Sequence, residues 1–300
     1  MMIQPENIVL GERDENMTPS VSWVTTTLAS HPKIKMIVVT NPDNPTGTVT
    51  PKETLNEIAR VCGEHNVWLI LDNTYEYFVY DETNNTETNT EANNTETNNT
   101  ETNNTETNTE TNLFHCVEAP HVINIFSFSK AYGMMGWRQG YLTYIDQQVD
   151  LSHSNWSLEQ QLLKCQDTIP ICPTIISQHV ALGALAAGKP WVGTKLKDVV
   201  LNQQLIRSVL EEVCGEQNVW GGQGAIYFFV RLPEHKLTGQ LLDDIDVVTQ
   251  LALEYKVVII PGSACGCPGY VRVSYANLRP EKCVEAAERL RHGLDCVINH

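Results

Sequence analysis

The sequence lacks the features that direct a protein into or across a membrane. It contains no run of the roughly 18 apolar residues that a membrane-spanning helix requires. Its first residues, Met-Met-Ile-Gln-Pro-Glu-Asn, include neither a basic residue nor a long apolar stretch, and a secretory signal needs both. The sequence therefore predicts a cytoplasmic protein with no membrane partner.

Basic residues are also scarce. The chain has 20 Lys and Arg against 36 Asp and Glu, which gives a formal net charge of −16. Residues 83 to 112 supply six of the acidic residues and no basic one, so the rest of the chain still carries −10. An acidic surface repels phosphate backbones, and this argues against nucleic acid as a partner.

Cysteines spaced as metal ligands are absent. The nine cysteines are an odd number, and the only close pair, Cys265 and Cys267, has no matching His or Cys cluster nearby. Zinc sites need such paired ligands. The sequence therefore predicts no metal site, and reduced thiols in the core.

Apolar residues are almost missing from residues 83 to 112. The pentad Asn-Asn-Thr-Glu-Thr recurs there with shortened copies, and one alanine is the only apolar residue. Such a segment cannot bury enough surface to offset the entropy lost on ordering. It is predicted to be a disordered loop inserted between two core elements.

The remaining chain can bury a sizeable core, since 42% of the 300 residues are hydrophobic. In the first half, a capping box of Thr50, Pro51 and Glu53 predicts a helix between two strands that are buried on both faces, which makes a parallel β-α-β unit. The predicted elements are a helix over 20–29, a strand over 36–39, the capped helix, and a strand over 67–71.

The second half changes character at about residue 190. Helical spacing over 156–187 is broken at 169–173, and Pro190 begins a long helix that ends near Cys214. A compact α+β unit follows, with strands over 225–230, 257–260 and 270–275 and helices over 244–255 and 280–297. The sequence predicts an α/β protein with a large domain over 1–189 and a smaller C-terminal domain over 190–300.

The most informative stretch begins with a run of β-formers, Val122 to Phe126. Ser127, Ser129 and Lys130 follow directly, and Arg138 comes after a glycine-spaced loop. Ligands of open α/β sheets bind beyond the carboxyl ends of strands. A lysine can form a Schiff base with an aldehyde, while hydroxyls and an arginine suit a phosphate. Pyridoxal 5'-phosphate offers both groups, although a lone lysine after a strand is more often a solvated surface residue.

Other polar residues follow or interrupt predicted strands. Residues 41–47, Asn-Pro-Asp-Asn-Pro-Thr-Gly, must form a rigid turn because their two prolines and glycine exclude helix and strand. Asp72 ends the second strand and Tyr75 follows three residues later; a helix-capping or turn acid and a packed ring are the simpler alternatives. Arg272 alternates with buried valines, which is costly unless it meets an anion or reaches solvent from an edge strand.

In this order, these motifs resemble those of the class I and II aminotransferases, which are enzymes of fold type I that depend on pyridoxal phosphate. The sequence around these motifs is similar to that of plant-type aromatic aminotransferases, and the resemblance extends from Pro32 to the end of the chain except for the insert. It implies a mostly parallel sheet in the large domain and a homodimer. The implied reaction transfers an amino group between an aromatic or methionine-type amino acid and a 2-oxo acid.

The resemblance also implies a role for each motif residue. Lys130 would hold the cofactor and move the α-proton, and Asp72 would pair with the pyridine nitrogen. The phenolic oxygen of the ring would be bound by Asn44 and Tyr75, and the phosphate by Ser127 and Arg138. Arg272, with Asn44 beside it, would bind the substrate α-carboxylate, and a cis peptide is expected between Asn44 and Pro45.

The sequence departs from the family at its beginning. Relatives carry a long segment before the first strand, which supplies a phosphate-binding loop and a ring-stacking aromatic residue, and residues 1–31 hold no counterpart. An exposed sheet edge or an unfilled face is therefore expected. The alternatives to a transaminase are a catalytically inactive remnant or partner subunit, or a pyridoxal-phosphate β-lyase or cyclopropane-forming synthase with the same motifs.

Overall fold

The computed structural model describes residues 7–80, 114–145 and 157–299. The predicted disordered insert over 83–112 lies outside these ranges. The helices are α1 (Val21–Ser30), α2 (Lys52–Glu64), α3 (Leu158–Thr168), α4 (Ile175–Cys214), α5 (Asp244–Glu254) and α6 (Pro280–Asn299). The strands are β1 (Met36–Thr40), β2 (Trp68–Asp72), β3 (Val122–Ser127), β4 (Gly140–Tyr144), β5 (Val219–Gly221), β6 (Tyr227–Arg231), β7 (Ile260–Pro261) and β8 (Tyr270–Ser274).

The first sheet has the order β1-β2-β3-β4. The first three strands are parallel and β4 is antiparallel to β3, so the predicted mostly parallel sheet is confirmed. Thr40 pairs with Asp72, and Asp72 with Ile125. The carboxyl ends of three strands therefore meet at one edge, as the sequence predicts.

The prediction that β1 is buried on both faces was wrong. Met36 is 51% exposed and Val38 is 62% exposed, whereas Val39 on the other face is buried. Strand β1 stands at the edge of the sheet, and its continuous apolar sequence does not reveal which face has a neighbour. Among the described residues no further strand pairs with β1, in agreement with the expected exposed edge.

The predicted capping box of α2 was also wrong. The helix begins after Pro51 and has no side-chain cap, and the Thr50 N–H donates instead to Asn41 Oδ1 at 2.9 Å. The Thr50 hydroxyl is buried and has no partner in the described residues. Asn41 therefore binds the Thr50 N–H, the group that Glu53 would bind in a capping box.

Helix α4 is broken where the sequence predicts a change of unit. Gly188 has a non-helical backbone, with φ 59° and ψ −163°, and Pro190 begins the second segment. The proposed domain boundary at 189/190 lies at this kink. None of the helices in the described residues has the length and apolarity to cross a membrane.

The second sheet has the order β5-β6-β8-β7 and is antiparallel. Of the predicted strand over 257–260, only Ile260 joins β7. The buried faces of β6 and β8 pack with α4, α5 and α6 around Phe228, Val271 and Leu294. Tyr75 and Phe128 of the first unit join the same hydrophobic cluster, so the loops after β2 and β3 pack directly against the second unit.

All nine cysteines are free thiols. Three of them, Cys62, Cys214 and Cys283, are buried as expected for core residues. Cys165 and Cys172 are exposed, so the expectation of core thiols does not hold for the whole set.

Candidate active site

The turn over residues 41–47 is held by its own side chains. Asp43 Oδ2 accepts hydrogen bonds from the Thr46 hydroxyl at 2.6 Å and the Thr46 N–H at 3.2 Å, and the Asn41 N–H donates to the Asp72 carbonyl at 3.0 Å. The peptide bond between Asn44 and Pro45 is cis, as the resemblance implies, and so is that between Asn41 and Pro42. This rigid turn presents Asn44 as its exposed residue.

An ion pair also fixes this turn from the amino-terminal side. Arg13 Nη1 lies 2.9 Å from Asp43 Oδ2 and also donates to the Met17 carbonyl at 3.1 Å. The Asp43 carboxylate is nearly buried, so it is only weakly screened by solvent. No local sequence pattern identifies Arg13 as part of the site, because its partner Asp43 lies 30 residues away.

Arg272 of β8 meets Asn44 across the two units. Its Nη1 donates to Asn44 Oδ1 at 2.7 Å, and its guanidinium carbon lies 4.5 Å from the centre of the Tyr227 ring. Arg272 Nε is buried and has no hydrogen-bond partner in the described residues. A buried donor without a partner is costly, and an anion bound to the guanidinium would remove that cost.

Tyr75 lies beneath this cluster. It is 3% exposed, and its hydroxyl is 2.7 Å from the Tyr227 hydroxyl. The two rings meet edge to face at 5.7 Å. Burial, and then the bond to Tyr227, raises the pKa of Tyr75 far above its usual value, so its hydroxyl stays protonated as a hydrogen-bond donor.

Asp72 ends β2 beside this cluster and is half-buried. Its Oδ1 accepts hydrogen bonds from the Thr74 N–H at 3.1 Å and the Thr74 hydroxyl at 2.5 Å. These bonds form a local turn, and both use the same oxygen. Within the described residues, Oδ2 stays free for a ligand.

The loop after β3 carries the remaining predicted residues. Ser127 Oγ accepts the Ser129 N–H at 3.1 Å, and the half-buried Lys130 amine has no hydrogen-bond or ion-pair partner in the described part of the chain. Arg138 is exposed in a left-handed conformation, with φ 52°, and donates to the Met135 carbonyl at 2.8 Å. Strand pairing sets this loop beside the end of β2.

The structure thus joins some predicted residues more closely than others. Asn44, Arg272 and Tyr75 form one connected cluster through Tyr227, a residue that the sequence did not single out. Only the pairing of strands reveals Tyr227, because this residue of β6 is the diagonal neighbour of Arg272 on β8. Among the described residues, no hydrogen bond or ion pair connects Lys130 or Arg138 to that cluster.

The chemistry of these groups fits pyridoxal phosphate. A carboxylate with a free oxygen suits a protonated pyridine nitrogen, and an unpaired lysine amine suits the aldehyde. The guanidinium with a buried, unpartnered N–H suits a carboxylate of the substrate. We find no residue in this set whose charge or donor character opposes that cofactor.

One protein family matches most of the chain. The family model described as "Aminotransferase class I and II" matches residues 10–290. The aromatic aminotransferase ISS1 of Arabidopsis thaliana is 39% identical over 297 residues, which is 98% of this chain and 64% of that protein. Aromatic-amino-acid aminotransferase 2 of Thermococcus litoralis is 30% identical over 88% of this chain and 58% of its own length.

Solved structures agree on the fold. The aspartate aminotransferase of Thermotoga maritima superposes with a TM-score of 0.69 at 26% identity, over 95% of this chain and 63% of that one. The aromatic aminotransferase of Pyrococcus horikoshii gives 0.68 at 26% identity, over 93% of this chain and 64% of that one. The chain therefore has the fold of the pyridoxal-phosphate-dependent aminotransferases, and it spans less than two thirds of the length of these relatives.

Proposed function

Since the chain belongs to the class I and II aminotransferase family, we propose that it transfers an amino group between an aromatic or methionine-type L-amino acid and a 2-oxo acid. The observation that carries the proposal is the connected cluster of Arg272, Asn44 and Tyr75 beside Asp72. The names of the Arabidopsis and Thermococcus relatives support aromatic substrates. The homodimer and the cytoplasmic location belong to the same proposal.

The cofactor of the family is pyridoxal 5'-phosphate, and we assign its contacts as the resemblance implies. Asp72 would hold a proton on the pyridine nitrogen, and Asn44 and Tyr75 would bind the phenolic oxygen. Ser127 and Arg138 would bind the phosphate. When bound, the cofactor supplies a cationic ring that withdraws electrons from the substrate α-carbon.

The protein groups then divide the work of the reaction. Arg272 binds the α-carboxylate and so sets which bond of the substrate faces Lys130. The Lys130 amine would hold the cofactor and would move the α-proton from the α-carbon of the substrate. Because its amine has no partner in the described residues, it is free to move between these positions.

The test is cofactor attachment at a named lysine. Purified protein mixed with pyridoxal phosphate should gain a visible absorbance band, and borohydride should fix the cofactor to Lys130, as read by peptide mass spectrometry. The Lys130→Ala variant should lose the band, while Lys35→Ala, which removes an exposed lysine before β1, should keep it. A wild type that stays colourless at saturating cofactor would favour the alternative of a catalytically inactive remnant or partner subunit.

Substrate class needs a separate measurement. The relatives include aromatic and aspartate aminotransferases, so kcat/KM should be compared for phenylalanine, methionine and aspartate with one 2-oxo acid acceptor. The proposal expects phenylalanine and methionine to exceed aspartate. Preference for aspartate would contradict the substrate class but leave the transaminase reaction intact.

A further inference from the structure

Tyr227 occupies an unusual position at the start of β6. Its ring is buried, and one face of that ring lies 4.5 Å from the Arg272 guanidinium carbon. Its hydroxyl is 2.7 Å from that of Tyr75, and the Tyr75 ring meets its own edge to face at 5.7 Å. Tyr227 thus contacts both the arginine and the segment that follows Asp72.

A guanidinium at the end of a long side chain needs two constraints before it can bind a carboxylate through two hydrogen bonds. Its plane must be fixed, and its rotation within that plane must be fixed. The Tyr227 ring fixes the plane, because a cation is attracted to the face of an aromatic ring. Asn44 Oδ1 fixes the rotation by accepting from Nη1 at 2.7 Å.

Tyr227 is itself held by contacts that do not involve Arg272. Its hydroxyl bonds to Tyr75, and its backbone belongs to β6, where Tyr227 pairs with Ser274 of β8. Gly47 packs against its carbonyl so closely that a Cβ added there would lie 2.0 Å from that oxygen. The ring is therefore a fixed surface on which the arginine lies.

We propose that Tyr227 is a positioning residue that holds Arg272 in the orientation needed to bind the α-carboxylate of the substrate. Tyr227 acts through Arg272 and makes no bond to the ligand. The inference rests on the proposed function, since it names a part of the same substrate site. It predicts that the ring face of Tyr227 matters more than its hydroxyl.

The experiment measures carboxylate binding directly. Isothermal titration calorimetry with 3-phenylpropanoate, an aromatic carboxylate without an amino group, gives a dissociation constant without any turnover. Tyr227→Phe keeps the ring and should stay within about threefold of the wild type. Tyr227→Leu removes the ring face and should weaken binding about tenfold.

Phe228→Leu is the matched control. Phe228 is fully buried on the opposite face of the same strand, where Arg207 lies 5.1 Å from its ring centre. Phe228→Leu removes a ring of similar size from the core and does not alter the surroundings of Arg272, so the dissociation constant of 3-phenylpropanoate should not change. Thermal unfolding of each variant shows that it is folded, and Tyr227→Met, which keeps the bulk without the ring face, replaces Tyr227→Leu if the latter does not fold.

Each outcome decides the inference. Loss of binding in Tyr227→Leu or Tyr227→Met, with Tyr227→Phe and Phe228→Leu near the wild type, supports it, as does a rise in KM for every amino acid at constant kcat. Equal binding by the wild type and the folded ring-deleted variant, whether Tyr227→Leu or Tyr227→Met, overturns it, and so does a wild type that binds no carboxylate. The Lys130 absorbance band does not require Arg272, so it reports separately whether the proposed function fails.

Discussion

Gly47 shows how a single residue sets the distance between the two units of the site. It has φ +72°, and a Cβ there would lie 2.0 Å from the Tyr227 carbonyl oxygen. Gly47→Ala should therefore suffer both the left-handed backbone and a backbone clash. The first costs about 1 kcal/mol, and the clash should raise the total loss of unfolding free energy to about 3 kcal/mol.

The matched control for that variant is Gly239→Ala. Gly239 also has a left-handed backbone, φ +66°, but nothing lies within 4 Å of the added atom. Urea unfolding of this variant should show a loss of only about 1 kcal/mol. Equal losses in the two variants would show that the close approach of Gly47 to β6 does not occur in solution.

Glu76 makes stability depend on pH. Burial raises its pKa to about 7, and Lys189 offsets part of this effect. Because the folded-state pKa lies above the ordinary value of 4.5, the folded state favours the protonated carboxyl. This contribution is complete below pH 4.5 and is lost as pH rises through 7.

The Glu76→Gln variant isolates this effect. At pH 8 it should be more stable than the wild type by about 1 kcal/mol, a value reduced for partial solvent screening. At pH 4 the two should be nearly equal, since the Glu76 carboxyl is then mostly protonated in both the folded and the unfolded state. Unfolding curves at both pH values test this, with the exposed Glu281→Gln as the charge control, and a difference that does not vary with pH would refute it.

Single residues also show how far the sequence alone can go. Asn44, Asp72 and Arg272 were predicted because each is a polar residue at the end of a strand or inside an apolar one, which is a local pattern. Tyr227 and Arg13 were missed because each acts through a partner that is distant in sequence. A tyrosine in an apolar strand gives no local reason to expect a cation above its ring.

At the scale of elements, Asp244 ties α5 to the loop between β7 and β8. It is buried, and its carboxylate accepts the Ser263 N–H at 2.7 Å and the Gly269 N–H at 3.2 Å. Burial alone would raise the pKa of Asp244, but these backbone donors outweigh it and hold that pKa below its ordinary value. The loop leads directly into β8, the strand on which Arg272 lies, so Asp244 also stabilises that strand.

Asp244→Asn should therefore lower the unfolding free energy by about 2 kcal/mol, because hydrogen bonds to a charged acceptor are lost. Asp246→Asn lies in the same first turn but is exposed, so it should lose only the helix-dipole term of about 0.5 kcal/mol. Chemical unfolding of the pair separates the two terms. If both variants lost the same amount, the loop contacts of Asp244 would not contribute to stability.

Helices and strands were predicted well where the local sequence patterns all indicated the same structure. Strands β2 and β3 and helices α1, α5 and α6 lie within a few residues of the predicted ranges, because alternation, caps and helical spacing agree there. The prediction of a capping box for α2 was wrong because Asn41, nine residues earlier, accepts the hydrogen bond from the Thr50 N–H. The burial of β1 failed because a strand's sequence shows that it can be covered on both faces and does not show what covers it.

For the whole molecule, the main feature is an apolar face of the first sheet. Paired residues of neighbouring strands share a face, and the register sets Ile125 and Leu142 in one row with Asp72. Ile125 and Leu142 are exposed, and so are Met36 and Val38 of β1, which lie on the same face of the sheet. Exposed apolar side chains on one face of a sheet favour association with other apolar molecules, including further copies of the chain.

Val38→Lys tests whether this face determines how the protein behaves in solution. Val38 is 62% exposed, so a lysine there can reach water without unfolding the strand, and its charge opposes pairing at the edge. The variant should bind less of an apolar fluorescent dye and sediment with less concentration-dependent association than the wild type. Val258→Lys is the control, because Val258 is 79% exposed but lies in the second unit, away from this sheet. Equal changes in the two variants would mean that net charge, and not the apolar face, governs association.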